Sequence, residues 1–173
     1  MPLTLSQILL PAAASTLANM RRWLDRPEVR AAEAALVEAR LAPDMFPLTR
    51  QIQIACDGVK GAAARLAGVE APVMPDTETT FDQLQARIDA TLAFITSVDA
   101  AAIDAGEGRA IEIKFPNGGG VRFDGATYVT GFVLPNLYFH AATAYGLLRA
   151  NGVPVGKQDF LAHLAGHMFA PEA

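Results

Sequence analysis

Asn136, His140 and Thr143 stand at i, i+4 and i+7 within a stretch, Tyr128 to Leu148, that contains no Asp, Glu, Lys or Arg. At 3.6 residues per turn they share one face, a polar stripe on an otherwise apolar helix. Such a stripe either lines a pocket or forms a satisfied network that sets helix register. A second set, Arg50, Gln53, Asp57 and Lys60, recurs at spacings of three and four along one face of another helical stretch. If the two helices pack, Arg50, Gln53, Asp57, Asn136, His140 and Thr143 form the expected ligand-binding group. A guanidinium, two amides, a carboxylate, an imidazole and a hydroxyl can hold a small polar or anionic ligand.

The same residues raise the question of a divalent metal such as zinc or nickel. Catalytic sites normally take three protein ligands, and imidazole and carboxylate are the usual donors. His140 and Asp57 would be the pair, with Gln53 or Asp44 as a weak third oxygen, so the count falls short and no metal is assigned. The other reading makes His140 a buried imidazole bonded to Asp57 or to a backbone carbonyl.

Other reactive side chains offer less. His163 and His167, in HLAGH, stand four apart as metal pairs do, but Gly166 weakens a helix there and no glutamate follows His163 as a zincin motif requires. An exposed, idle pair is expected. Cys56 reads as a small buried hydrophobe, and Asp57 beside it disfavours the thiolate. Ser6, Ser15 and Ser97 have no adjacent base and no G-x-S-x-G phrase. Asp99 and Asp104 read as solvated loop carboxylates. Tyr138 and Tyr145, seven apart, read as core or interface.

The elements that position these residues follow from periodicity. A helix begins after Thr4, with Pro11 either kinking it or marking its true start. Glu28 to Ala39 reads as one short amphipathic helix with Glu33 and Glu38 in solvent. A loop from Leu41 to Pro47 leads into a long helix ended by Gly68, then a proline-rich connection, then a helix from Phe81 to Val98 capped by Thr79 or Thr80. From Ala110 the period falls to two: IEIKF, PNGGG and VRF describe a β-hairpin. Its glycines are no phosphate loop, because a strand follows where a helix is needed. The long uncharged helix comes next, kinked at Pro135 and closed by Asn151-Gly152, and a last amphipathic stretch runs from Gln158 to about Met168. Four long helices and one hairpin suit an all-α (mainly) fold, a four-helix bundle with a hairpin inserted before its last long helix.

Composition sets the class. With 173 residues, 51% hydrophobic, the chain supports one core, and residues 1–173 are expected to form a single domain. A formal charge of -4 offers no basic surface for phosphate backbones, so no nucleic acid is expected. Gly131, Pro135, Asn136 and His140 argue against a bilayer span, so no membrane is expected. One cysteine and an N-terminus without a basic leader point to the cytoplasm.

Two phrases, LAPDMFPLTRQIQIACDGVKGAAARLAGVE and LPNLYFHAATAYGLLRANGVPVGKQDFL, resemble an uncharacterised bacterial branch of the DinB/YfiT-like metalloenzyme superfamily. The likeness extends to about Leu161. It implies an up-down-down-up four-helix bundle, frequently a homodimer. In better studied relatives a metal sits on three histidines, one from the second long helix and an HxxxH pair from the last. Here His140 is followed four later by Ala144, and the second long helix has no histidine. The leading expectation is therefore a small-molecule-binding bundle with an incomplete metal triad. The alternatives are a divalent-metal-dependent thiol transferase or hydrolase, and a structural dimer without a ligand.

Overall fold

Helix α1 (Leu5–Leu24) starts where the Thr4 hydroxyl accepts the Gln7 amide and the Gln7 side chain accepts the Thr4 amide, a reciprocal capping box. Leu9, Leu17, Met20 and Leu24 recur on its buried face. The helix runs unbroken through Pro11, so it does not begin there. The carbonyl freed by the proline is that of exposed Gln7, where water can satisfy it. The computed structural model describes residues 2–115 and 117–169, so Pro116 of the expected turn lies outside the described residues.

The helix expected over Glu28 to Ala39 is broken into α2 (Pro27–Ala31) and α3 (Glu33–Leu36) at Ala32. Glu33 is not simply solvated: it accepts the Phe81 amide at 2.7 Å and so ties this segment to a later helix. Helix α4 (Leu48–Ala67) ends at Gly68, whose φ of 72° is left-handed and suits glycine. Helix α5 (Phe81–Ser97) opens on a second capping box, Thr80 with Gln83, and α6 (Ala100–Asp104) is capped by Asp99. Asp104 is more than a solvated carboxylate, since it accepts the Ser6 amide at 2.7 Å and the Ser6 hydroxyl at 3.1 Å. These bonds from Ser6 hold its carboxyl below the usual range.

Strands β1 (Ile111–Lys114) and β2 (Gly120–Phe123) pair antiparallel, with Glu112 opposite Arg122. Their inner side chains cover the bundle: Ile111 is buried, and Phe123 packs on Tyr128 and Phe132. After α7 (Gly125–Thr127) the chain makes a six-residue π turn, Tyr128–Val133, and continues as α8 (Leu134–Ala150). Pro135 lies in the first turn of α8, so the expected irregularity is a widened turn just before the proline. The terminal stretch is α9 (Lys157–Phe160) and a 3₁₀ turn, Ala162–His167, rather than one amphipathic helix.

Contacts along the helices set their directions. Arg21 near the end of α1 meets Asp89 and Gln85 of α5, while Ser6 at its start meets Asp104 beyond the end of α5, so α1 and α5 are antiparallel. Gln53 of α4 meets Glu78 just before α5, and Leu66 lies against Gly106 beyond α6, so α4 and α5 are parallel. Gln51 meets His140 and Arg65 meets Tyr128, which makes α8 antiparallel to α4. The result is an up-down-down-up bundle whose buried side chains form one cluster. No helix among the described residues is long and apolar enough to cross a membrane.

Candidate functional site

The face of α4 that meets α8 is built from residues seven apart. Gln51 faces His140, Gly58 lies against Asn136, whose amide nitrogen would be 3.5 Å from a Cβ there, and Arg65 donates to the Tyr128 hydroxyl at 3.1 Å. His140 is 7% exposed, and its Nδ1 is 2.7 Å from the Gln51 Oε1. The partner of His140 is therefore Gln51, neither Asp57 nor a backbone carbonyl.

Gln51 also fixes which proton His140 carries. Its amide nitrogen donates to the Phe46 carbonyl at 2.9 Å, so its oxygen is the atom turned toward the imidazole. An oxygen can only accept, so Nδ1 must hold the hydrogen. Nε2 is left as a bare lone pair with no hydrogen-bond partner among the described residues, and it keeps contact with solvent. Burial lowers the pKa of His140, and the charge of Arg50 lowers it further. A neutral, oriented imidazole results. Phe139 stands edge-on to it at 5.2 Å and is 56% exposed, as is Phe46, whose ring lies beside Arg50.

The remaining expected site residues go elsewhere. Thr143 is buried and donates to the Phe139 carbonyl of its own helix at 2.8 Å. Asn136 is half-buried on the same face as His140. Arg50 is half-buried, 5.9 Å from the Phe46 ring centre, and donates to Gln53 and to Asp76. Gln53 donates to Glu78 at 2.8 Å, and Asp57 pairs with Lys60 at 2.8 Å and with Arg87 at 2.9 Å. The six expected residues thus divide between two places, the α4–α8 seam and a charged cluster between α4, α5 and the connection before α5.

That cluster centres on Arg87, whose side chain is 1% exposed. It donates to Asp57, Glu78 and the Pro75 carbonyl and forms an ion pair with Asp76 at 2.9 Å, and its Nε alone has no partner. Burial raises the Glu78 carboxyl, but hydrogen bonds from Arg87 and Gln53 and the Arg87 charge outweigh it, and the net shift is downward. Sequence reasoning missed both hubs. Arg87 stands three after Leu84 and four before Thr91, inside the buried stripe of α5, and a charge in that stripe was the available signal.

The donor set does not fit a divalent metal. Asp57 is committed to two cations on a different face from the one that meets His140, Gln51 offers only an amide oxygen, and Asp44 is exposed. Among the described residues no three His, Cys, Asp or Glu side chains gather as ligands would. Nor do His163 and His167 make a site, because a 3₁₀ turn places residues four apart on different sides, and His163 is engaged by Asn19. Cys56 is buried, which pushes its thiol up to about 12 and keeps it inert at neutral pH.

A family profile described as a domain of unknown function (DUF1993) matches residues 5–161. The chain is also similar to the crystal structure of a DinB family member protein from Shewanella denitrificans. The identity is 36%, the match covers 96% of each chain, and the TM-score is 0.81. A comparison with curated proteins gave no match.

Proposed function

The chain belongs to the DUF1993 family of DinB-like helical proteins, and from that premise we propose that it binds a small molecule at the α4–α8 seam through His140. The observation that carries the reading is the Gln51 relay, which leaves the Nε2 of a neutral, buried imidazole as an unused acceptor. An amide dedicated to holding one nitrogen of an imidazole presents the other, here toward solvent where a ligand can reach it. The ligand donates a hydrogen bond to Nε2, with Asn136 on the same face. Arg50 favours an acidic ligand. Gln53 and Asp57 act behind Arg50 through the charged cluster, and Thr143 shapes the floor. The exposed rings of Phe46 and Phe139 give the ligand an apolar rim.

This reading needs no metal, and the thiol transferase or hydrolase alternative requires one. The free, buried Cys56 suits a reducing compartment, so the proposed setting is the cytoplasm. The test is a set of melting curves for tag-free protein with a panel of thiols and small acids. A ligand at a hundred times its Kd adds about 2.7 kcal/mol to stability. The expected result is a shift that disappears in His140→Ala and persists in His163→Ala. A shift that survives His140→Ala, or stoichiometric metal lost with that substitution, overturns the proposal.

A further inference from the structure

We infer that the Asp76 carboxylate is a built-in competitor for Arg50, displaced when an aromatic carboxylic acid enters the α4–α8 seam; this rests on the proposed role of the seam as a ligand site. Arg50 is already engaged: its Nη1 donates to the Gln53 Oε1 at 3.1 Å and to the Asp76 Oδ2. The Arg50 side chain is 34% exposed and that of Asp76 39%, so solvent and solutes reach the pair. Arg50 stands at the edge of the seam. It precedes Gln51, and its guanidinium carbon lies 5.9 Å from the centre of the Phe46 ring, whose backbone carbonyl holds the Gln51 amide.

Asp76 can leave Arg50 without being stranded. Its other oxygen, Oδ1, pairs with Arg87 Nη2 at 2.9 Å. The backbone beside it is held separately: the Thr77 amide donates to the Pro75 carbonyl at 3.0 Å, a tight turn centred on Asp76, and Arg87 Nη1 donates to the same carbonyl at 3.2 Å. Rotation of one side chain therefore exchanges the internal carboxylate for an external one while the connection stays docked. Charge sets what can enter. The ion pairs of the cluster join the cations Arg50, Lys60 and Arg87 to the anions Asp57, Asp76 and Glu78, one for one. An acid arriving while Asp76 remains on Arg50 meets a neutralised guanidinium, and one that replaces Asp76 meets a full cation. The exposed rings of Phe46 and Phe139 beside it make an aromatic acid the fitting class. A half-exposed pair of this kind holds off a competing carboxylate by about two- to fivefold in binding constant.

The probe is 4-hydroxybenzoate, which brings an O–H donor for the His140 Nε2, an aromatic ring and a carboxylate; 4-hydroxybenzamide is its uncharged match. Calorimetric titration of the full chain at neutral pH and low ionic strength gives the dissociation constants. Asp76→Asn keeps the shape of the side chain and removes its charge, so it should tighten 4-hydroxybenzoate by about two- to fivefold and leave 4-hydroxybenzamide unchanged. Asp76→Ser should give the same gain. In Arg50→Gln the substitution at Asp76 should have no effect, because nothing is left to compete for. Equal affinity of wild type and Asp76→Asn, a gain shared by the amide, a gain that survives in Arg50→Gln, or no binding by either protein overturns the inference. His140→Ala judges the seam separately. Binding that needs His140 but ignores Asp76 removes the competitor alone, whereas an Asp76 effect intact in His140→Ala keeps the competitor and takes His140 out of the site.

Discussion

Arg87 illustrates how far a single residue can organise a chain that is only 18% charged. Its guanidinium is enclosed, yet three carboxylates reach it, two of them carried by the connection before α5. The pairing is worth little by itself, since burying ions costs about what their attraction returns, but removing one partner strands the others. Arg87→Leu should therefore lower the unfolding free energy by about 3 kcal/mol, toward the low end for broken buried pairs because Asp57 and Asp76 stay partly solvated. Urea denaturation at pH 7 measures it. Acid supplies a second check. The folded pKa of Glu78 is depressed, so its contribution is present above the unfolded value of about 4.3 and is lost as pH falls through the folded one. Wild type should lose stability below that pH more steeply than Arg87→Leu, in which the cation that depresses Glu78 is gone.

At the scale of the element, much of the secondary structure was legible because its signals are local. Thr4 with Gln7, Thr80 with Gln83 and the stop at Gly68 each mark a helix end by a side chain or a φ angle that the residue type determines. The IEIKF and VRF alternation gives the hairpin in the same way. A helix start at Pro11 was misleading because the proline's steric cost is local while the compensation is not: Leu9, Leu17 and Met20 bury fully on either side of it and carry the helix through. Pro11 itself is exposed. Pro11→Ala should accordingly stabilise the protein by about 1–3 kcal/mol, by restoring one backbone bond and removing the ring clash. A higher melting temperature with unchanged helicity is the expected observation. The break at Ala32 was hidden for the opposite reason. Alanine favours helix, and it is the Glu33 carboxylate reaching the Phe81 amide, 48 positions on, that accompanies the turn.

For the whole molecule, the sequence disclosed the faces of the helices but not which neighbour each face meets. Gln53 and Asp57 share a face, as their spacing says, but that face turns to α5 and leaves Gln51 to meet His140. A rotation of α4 about its axis decides this, and only packing sets it. Packing also leaves Leu41, Phe46, Tyr138 and Phe139 more than 40% exposed, two of them within the uncharged stretch Tyr128 to Leu148. Apolar surface of that kind favours association, so light scattering with size exclusion should give the mass of a homodimer, and Tyr138→Lys with Phe139→Lys should give the monomer. The central claim, however, is that Gln51 holds His140 neutral with its Nε2 lone pair free. The folded pKa of His140 is lowered, so the neutral ring stabilises the fold above the unfolded value of about 6.5, and that stabilisation is lost as pH falls through the folded value. The most direct measurement is the nitrogen NMR titration of the His140 ring, with Gln51→Leu as reference. The expected result is a hydrogen on Nδ1, a bare Nε2 and the neutral ring predominating at pH 6.5, with the tautomer preference weakened in Gln51→Leu. A hydrogen on Nε2, or a ring already charged at pH 7, would contradict it.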